Sequence, residues 1–189
     1  MDILESLNDA QREAVQIVEG PVLVLAGPGS GKTRVLTHRV AYLIRECGVD
    51  PFHIMAVTFT NKAAREMRDR LEALLGARLR RLTLGTFHAI CARILRREAS
   101  RLPYTADFVI FDEGDQQNLV RQALKNLNLD DKVYTPRSVL AGISRFKGRL
   151  LEPDQVQPGS YFEEVVARVY QVYQDLLRQN DALDFDDLL

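Results

Sequence analysis

Tryptophan is absent and cysteine nearly so: the 189 residues contain only Cys47 and Cys91. Two thiols without a CxxC pair or a Cys/His cluster give a disulfide framework or structural zinc site nothing to build on, and both are read as small core residues. Long apolar runs are missing too. No segment approaches the ~20 uninterrupted apolar residues of a membrane span, and the opening MDILESLNDA lacks the basic start and apolar stretch of a secretory signal. A cytoplasmic protein without a membrane partner is the expectation. The chain also carries no internal repeat and no low-complexity segment.

Net charge is scarce as well, at -1 near neutral pH, but the balance hides an asymmetry. Residues 1–101 hold 16 Lys and Arg against 11 Asp and Glu, whereas residues 102–189 hold 9 against 15. The first part could face a polyanion, or both parts could be ordinary solvated surfaces; charge alone does not choose. What the chain has in quantity is apolar residues, 46% of the total, enough for the core of one or two globular, α-rich domains.

The apolar residues are patterned. Residues 21–26 (PVLVLA) form a continuous run ending in GPGSG, which reads as a buried parallel strand entering a loop. Helical spacing follows over 32–46, with Gly48 as the stop. The unit recurs: a strand over 54–59 (IMAVTF) precedes a helix over 61–75 that Gly76 ends, and a short strand over 82–86 precedes a helix over 87–101. Such alternation predicts a doubly wound α/β arrangement with a parallel sheet. After Asp112 the pattern becomes helix after helix: 113–127, one opened by Thr135 and Pro136 as cap and first turn, and 161–179, with 151–160 as a loop. Three strands without further neighbours are expected to leave an exposed sheet edge.

Ala26-Gly27-Pro28-Gly29-Ser30-Gly31-Lys32-Thr33 matches the Walker A phosphate loop, except that Ala26 stands where glycine is usual. The chemistry needs small residues, so that successive backbone N–H groups can turn inward around phosphates at a helix N-terminus. In that pattern Lys32 reaches the β- and γ-phosphates, and the Thr33 hydroxyl holds Mg²⁺. Position between a predicted strand and a predicted helix separates this loop from a chance glycine-rich turn.

Flanking residues narrow the class. Residues 7–15 (LNDAQREAV) resemble the Q motif of UvrD/Rep/PcrA-type superfamily 1 DNA helicases, 58–67 (TFTNKAAREM) their motif Ia, and 85–89 (GTFHA) their motif Ib. The similarity extends through 108–112 (FVIFD) to the terminal DFDDLL. The resemblance implies a partial P-loop NTPase (RecA-like) parallel sheet with an appended mainly α-helical subdomain: residues 1–101 as the first part of the ATP-binding domain, 102–189 as the helical insert. It implies ATP and Mg²⁺ as cofactors, and single-stranded DNA or a single/double-strand junction as partner. Unwinding would run 3′ to 5′ and be coupled to ATP hydrolysis.

By the same resemblance Gln11 reads the adenine edge with its amide, and Arg34 stacks its guanidinium on the base. Without it, both are ordinary surface residues. Motif Ia places Thr58, Phe59, Thr60, Asn61 and Lys62 where a strand runs into a helix, and Thr86, Phe87 and His88 repeat the scheme. Phe59 offers a stacking platform, Thr60 and Asn61 phosphate donors, and Lys62 charge. Taken singly, Phe59 and Phe87 read equally as core residues and His88 as a surface histidine. Arg93, Arg96, Arg97 and Arg101 line one helical face that either tracks a DNA backbone or is simply wet.

Hydrolysis needs an acidic pair that holds the metal and orients water. Asp112 and Glu113, after the apolar 108–111, superficially supply one, but they equally open a helix as cap and first turn. The resemblance places the DExQD motif and a second RecA-like domain beyond Leu189, so this chain alone is expected not to unwind DNA. The competing readings are a small self-contained P-loop ATPase using Asp112 and Glu113, and a DNA-binding module that no longer uses nucleotide.

Overall fold

A computed structural model describes residues 3–189, apart from the side chains of residues 77, 78 and 80. The chain divides into two compact units, the first reaching Ile90 and the second spanning Cys91–Leu189.

The first unit opens with helix α1 (Asp9–Gln16). Its start is a reciprocal capping box: the Asn8 side chain accepts from Gln11 N–H, and the Gln11 side chain accepts from Asn8 N–H. Helix α2 (Lys32–Arg45) follows the glycine-rich loop, and strand β1 (Met55–Thr58) leads to helix α3 (Asn61–Leu75) and strand β2 (Thr83–Thr86). Thr60 caps α3 by accepting from Ala63 N–H at 3.1 Å. Strands β1 and β2 pair in parallel with Met55 opposite Thr83 and Thr58 opposite Thr86, so their C-terminal ends fall level. Val40 and Ile44 of α2, Met67 and Leu71 of α3, and Ala56 and Leu84 of the strands share one core. A smaller cluster of Leu7, Val15 and Val35 seats α1 on α2. Helix α4 (Phe87–Glu98) starts in this unit, and the division falls inside it.

Two expectations require correction here. Residues 21–26 carry no strand, and Leu23 and Leu25 are 83% and 86% exposed rather than buried. An apolar run becomes a strand only where a neighbour satisfies its backbone N–H and C=O groups, and among the described residues no segment pairs with it. Among the described residues the sheet of this unit is therefore two-stranded, and a doubly wound arrangement is not shown. Cys47 is exposed in the turn after α2 and is no core residue, whereas Cys91 is half-buried and packs against the cluster of Ala92, Phe108, Leu183 and Leu188.

The second unit is mainly helical, with α5 (Glu113–Asn126), α6 (Pro136–Lys147) and α7 (Tyr161–Gln179) packed around Leu124, Val139, Ile143, Val166, Val169 and Leu177. Each start is capped from sequence: Asp112, Thr135 and Ser160 accept from the N–H of Asp115, Ser138 and Glu163. Gly142 lets α6 approach α7 closely, because a Cβ there would lie 2.8 Å from Val166 Cγ1. Strands β3 (Val109–Ile110) and β4 (Ala182–Leu183) pair in parallel and close the unit between its two ends. At two residues each they are too short for a periodic signal. Among the described residues no helix is long and apolar enough to cross a membrane.

Candidate functional site

The glycine-rich segment turns tightly before α2. Gly29 and Gly31 take φ of 75° and 84°, a region that side chains with a Cβ avoid. Gly31 is the N-cap of α2 and offers no side-chain cap, so the free N–H groups and positive dipole end of α2 point into the loop. Lys32 folds back over the turn, its ammonium donating to Ala26 O at 3.0 Å and Gly27 O at 2.8 Å. Ser30 Oγ donates to Gly27 O at 2.7 Å. Pro28 and Ser30 are exposed, Thr33 is half-buried one residue into α2, and Arg34 is exposed.

Helix α1 closes one side of the loop. Gln11 Nε2 donates to Ser30 O at 3.0 Å, and its Oε1 accepts from Asn8 N–H at 3.2 Å. The approach is tight enough that a Cβ on Gly31 would stand 2.8 Å from Gln11 Nε2. A cavity of about 190 Å³ opens here, bounded by Asn8, Gln11, Ala26, Ser30, Lys32 and Val35. The small loop residues, a helix N-terminus without a side-chain cap, a flexible ammonium and a neighbouring amide form a donor set suited to a nucleotide polyphosphate and its base. Outside this cavity, Arg39 of α2 donates Nη1 to Ala14 O near the end of α1 at 2.7 Å, a contact that nothing in the local sequence signals. Asn8 was legible as the first residue of an Asn-x-x-Gln capping box.

A second cluster lies at the level ends of β1 and β2. Thr58 and Thr86 are neighbours in register and nearly buried. Thr58 Oγ1 donates to Thr60 O at 3.1 Å, and Thr86 Oγ1 accepts from Ala89 N–H at 3.3 Å at the start of α4. These hydroxyl contacts fall at the two strand-to-helix turns. Phe59 and Phe87, the next residues along the chain, stand together, ring centroids 5.5 Å apart and tilted by 45°. Phe59 is 90% exposed, so it is no core residue. Asn61 and Lys62 are exposed in the first turn of α3, and His88 is half-buried.

The other candidates are more committed. Asp112 spends its carboxylate on Asp115 N–H in a capping box, which is the helix-opening reading of the pair at 112–113. Among the arginines of α4 and the turn after it, the Arg96 guanidinium lies 5.1 Å from the centroid of the Phe108 ring. Arg97 and Arg101 both pair with Glu98, and Arg93 is exposed. Sequence reasoning missed a buried polar cluster in the second unit: Lys147 Nζ donates to Asp184 at 2.7 Å and Asp187 at 2.6 Å, and Tyr173 OH donates to Asp184 at 2.8 Å. Nothing in the local pattern signals it, because the partners come from 37 and 40 residues away.

A family model described as the UvrD/REP helicase N-terminal domain matches residues 7–189. The ATP-dependent DNA helicase PcrA of Bacillus subtilis strain 168 is 49% identical over 189 residues, which is 99% of this chain and 26% of that relative. The proteins of the same name from Staphylococcus aureus strain Mu50 and from Staphylococcus epidermidis are 47% and 46% identical over the same shares of chain. The chain thus spans about a quarter of the length of these curated relatives. The match covers nearly the whole chain, which therefore belongs to the UvrD/REP helicase N-terminal domain family.

Proposed function

We propose that this chain is the ATP-binding and single-stranded-DNA-binding N-terminal portion of a 3′-to-5′ DNA helicase. In this reading residues 1–101 are the first part of a RecA-like ATP-binding domain and 102–189 its helical insert, in a cytoplasmic protein. The observation that carries it is the phosphate loop: Gly29 and Gly31 in the left-handed region, an α2 N-terminus without a side-chain cap, and Lys32 folded over the turn. Ala26, Gly27, Pro28, Gly29, Ser30 and Gly31 would line the phosphates with backbone N–H groups. The Lys32 ammonium would exchange its loop carbonyls for phosphate oxygens, and Thr33 would present its hydroxyl to Mg²⁺. The metal, when bound, neutralises charge on the β- and γ-phosphate oxygens.

Base recognition falls to Gln11 and Arg34. Each polar atom of the Gln11 amide makes one hydrogen bond in this structure, which leaves one N–H and one lone pair for an adenine edge. Arg34, exposed one turn from the loop, supplies a plane to stack on the base. The DNA surface is the pair of strand-to-helix turns: Phe59 and Phe87 as the stacking platform, Asn61 and Lys62 toward phosphates, and Thr58, Thr60 and Thr86 shaping the turns, with His88 beside them. The preferred partner is single-stranded DNA or a single/double-strand junction.

A self-contained ATPase built on Asp112 and Glu113 finds no support, since Asp112 is engaged as a helix cap. Steady-state Mg-ATP turnover by this chain, with and without single-stranded DNA and beside Lys32→Ala, tests the choice. The expected result is turnover no higher than that of Lys32→Ala. Lys32-dependent, DNA-stimulated turnover would overturn it and make Asp112 and Glu113 the next residues to replace.

A further inference from the structure

Helix α1 has only 8 residues, too few to hold its shape in water without tertiary support. Its N-terminus is secured by the Asn8 and Gln11 capping box, but its last turn holds no basic residue to complement the negative dipole end. Ala14 O is one of the terminal carbonyls that no i+4 amide within the helix can satisfy. The missing cation comes from the neighbouring helix: Arg39 of α2 donates Nη1 to Ala14 O at 2.7 Å, across 25 residues of sequence.

Arg39 stands two turns along the helix that begins at Lys32, and its side chain lines the same cleft as Lys32, Val35 and Leu36 of α2, Ala14 of α1, and Val22 and Val24. Val15 packing on Val35 holds α1 against α2, but an apolar contact leaves the helix free to slide. A charge-assisted hydrogen bond to one named carbonyl fixes its position along α2. That position has little tolerance at the other end of α1, where Gln11 Nε2 reaches Ser30 O and abuts Gly31.

We infer that Arg39 is a positioning residue that locks α1 along α2, holds Gln11 over the phosphate loop, and so governs selection of the nucleotide base rather than grip on the phosphates. The inference rests on the reading that Gln11 meets the base.

The test uses the 189-residue chain with Arg39→Met, which keeps the apolar stem and removes the charge, Arg39→Lys, which returns a cation to the same helix end, and Gln11→Ala. Amide hydrogen exchange is followed in α1 and α2, and affinities are measured for ATP, GTP and pyrophosphate. In Arg39→Met, α1 amides are expected to exchange roughly tenfold faster while α2 amides keep their protection. The ATP-over-GTP preference falls to that of Gln11→Ala, pyrophosphate affinity is unchanged, and Arg39→Lys restores most of both effects. Unaltered α1 exchange, equal loosening of α2, or an equal loss of pyrophosphate affinity would each overturn the inference. If Gln11→Ala keeps the base preference, or if the chain binds no nucleotide, the base-reading proposal fails instead; Arg39 is then judged by exchange in α1 alone.

Discussion

Lys147 Nζ lies 2.7 Å from Asp184 Oδ2, and both side chains are almost sealed from water, 4% and 2% exposed. This pair, with Asp187 at 2.6 Å from the same ammonium, ties the end of α6 to the segment that follows β4. A buried ion pair contributes little beyond an apolar substitute, but removing one partner strands the other charge. Lys147→Met is therefore expected to destabilise the chain by roughly 3–5 kcal/mol in urea unfolding. Adding Asp184→Asn and Asp187→Asn should recover part of that loss; purely additive losses would show that the three groups do not act as a cluster.

The same cluster sets a response to alkali. Burial, reinforced by the Asp184 carboxylate, holds the Tyr173 hydroxyl well above the usual phenol range. Near neutral pH the phenol is protonated in both states and its buried neutral form carries no penalty, whereas in alkali the unfolded state alone gains by losing the proton. The difference sets in as pH rises above the ordinary tyrosine value of about 10. Stability should fall across this alkaline window, and Tyr173→Phe should flatten the fall. An unchanged slope in pH-dependent urea unfolding would contradict the assignment.

Gly31→Ala tests the phosphate loop without removing a functional group. A side chain at φ of 84° costs about 1–2 kcal/mol, and its Cβ would meet Gln11 Nε2 at 2.8 Å. ATP affinity should fall along with a modest drop in thermal stability. Retained affinity would mean that the contact between α1 and the loop is dispensable for binding.

Phe59 is exposed, so Phe59→Ala should leave stability within about 0.5 kcal/mol. If it is a base platform, the change should weaken binding of a labelled single-stranded oligonucleotide by about 1–3 kcal/mol. Fluorescence anisotropy at fixed salt reads this directly, and unchanged affinity would remove Phe59 from the DNA surface.

Much of the structure was legible because its signals are local. The 61–75 and 161–179 helices are present at the residues the pattern indicated, and Asp112 and Thr135 act as the caps the sequence offered, while the caps at Thr60 and Ser160 emerge from the structure. The apolar run at 21–26 misled for the opposite reason: strand formation depends on a partner, which a segment cannot encode by itself. The turn at Gly29 and Gly31 before α2 was legible because its glycines and the first helical residues are adjacent in sequence. The link between Arg39 and Ala14, and the grouping of Lys147 with Asp184, were invisible because each joins residues that only the fold brings together. The burial of Thr58 and Thr86 next to exposed phenylalanines in the chain likewise needed the register of β1 and β2.

The proposed nucleotide-phosphate site at the loop ending in Lys32 and Thr33 is tested most directly by equilibrium binding of Mg-ATP to this chain beside Lys32→Ala. Saturable, Mg²⁺-dependent binding to the unaltered chain is expected, and Lys32→Ala should weaken it by tenfold or more, roughly 1.4 kcal/mol at the least. No binding, or equal binding by both proteins, would contradict the proposal.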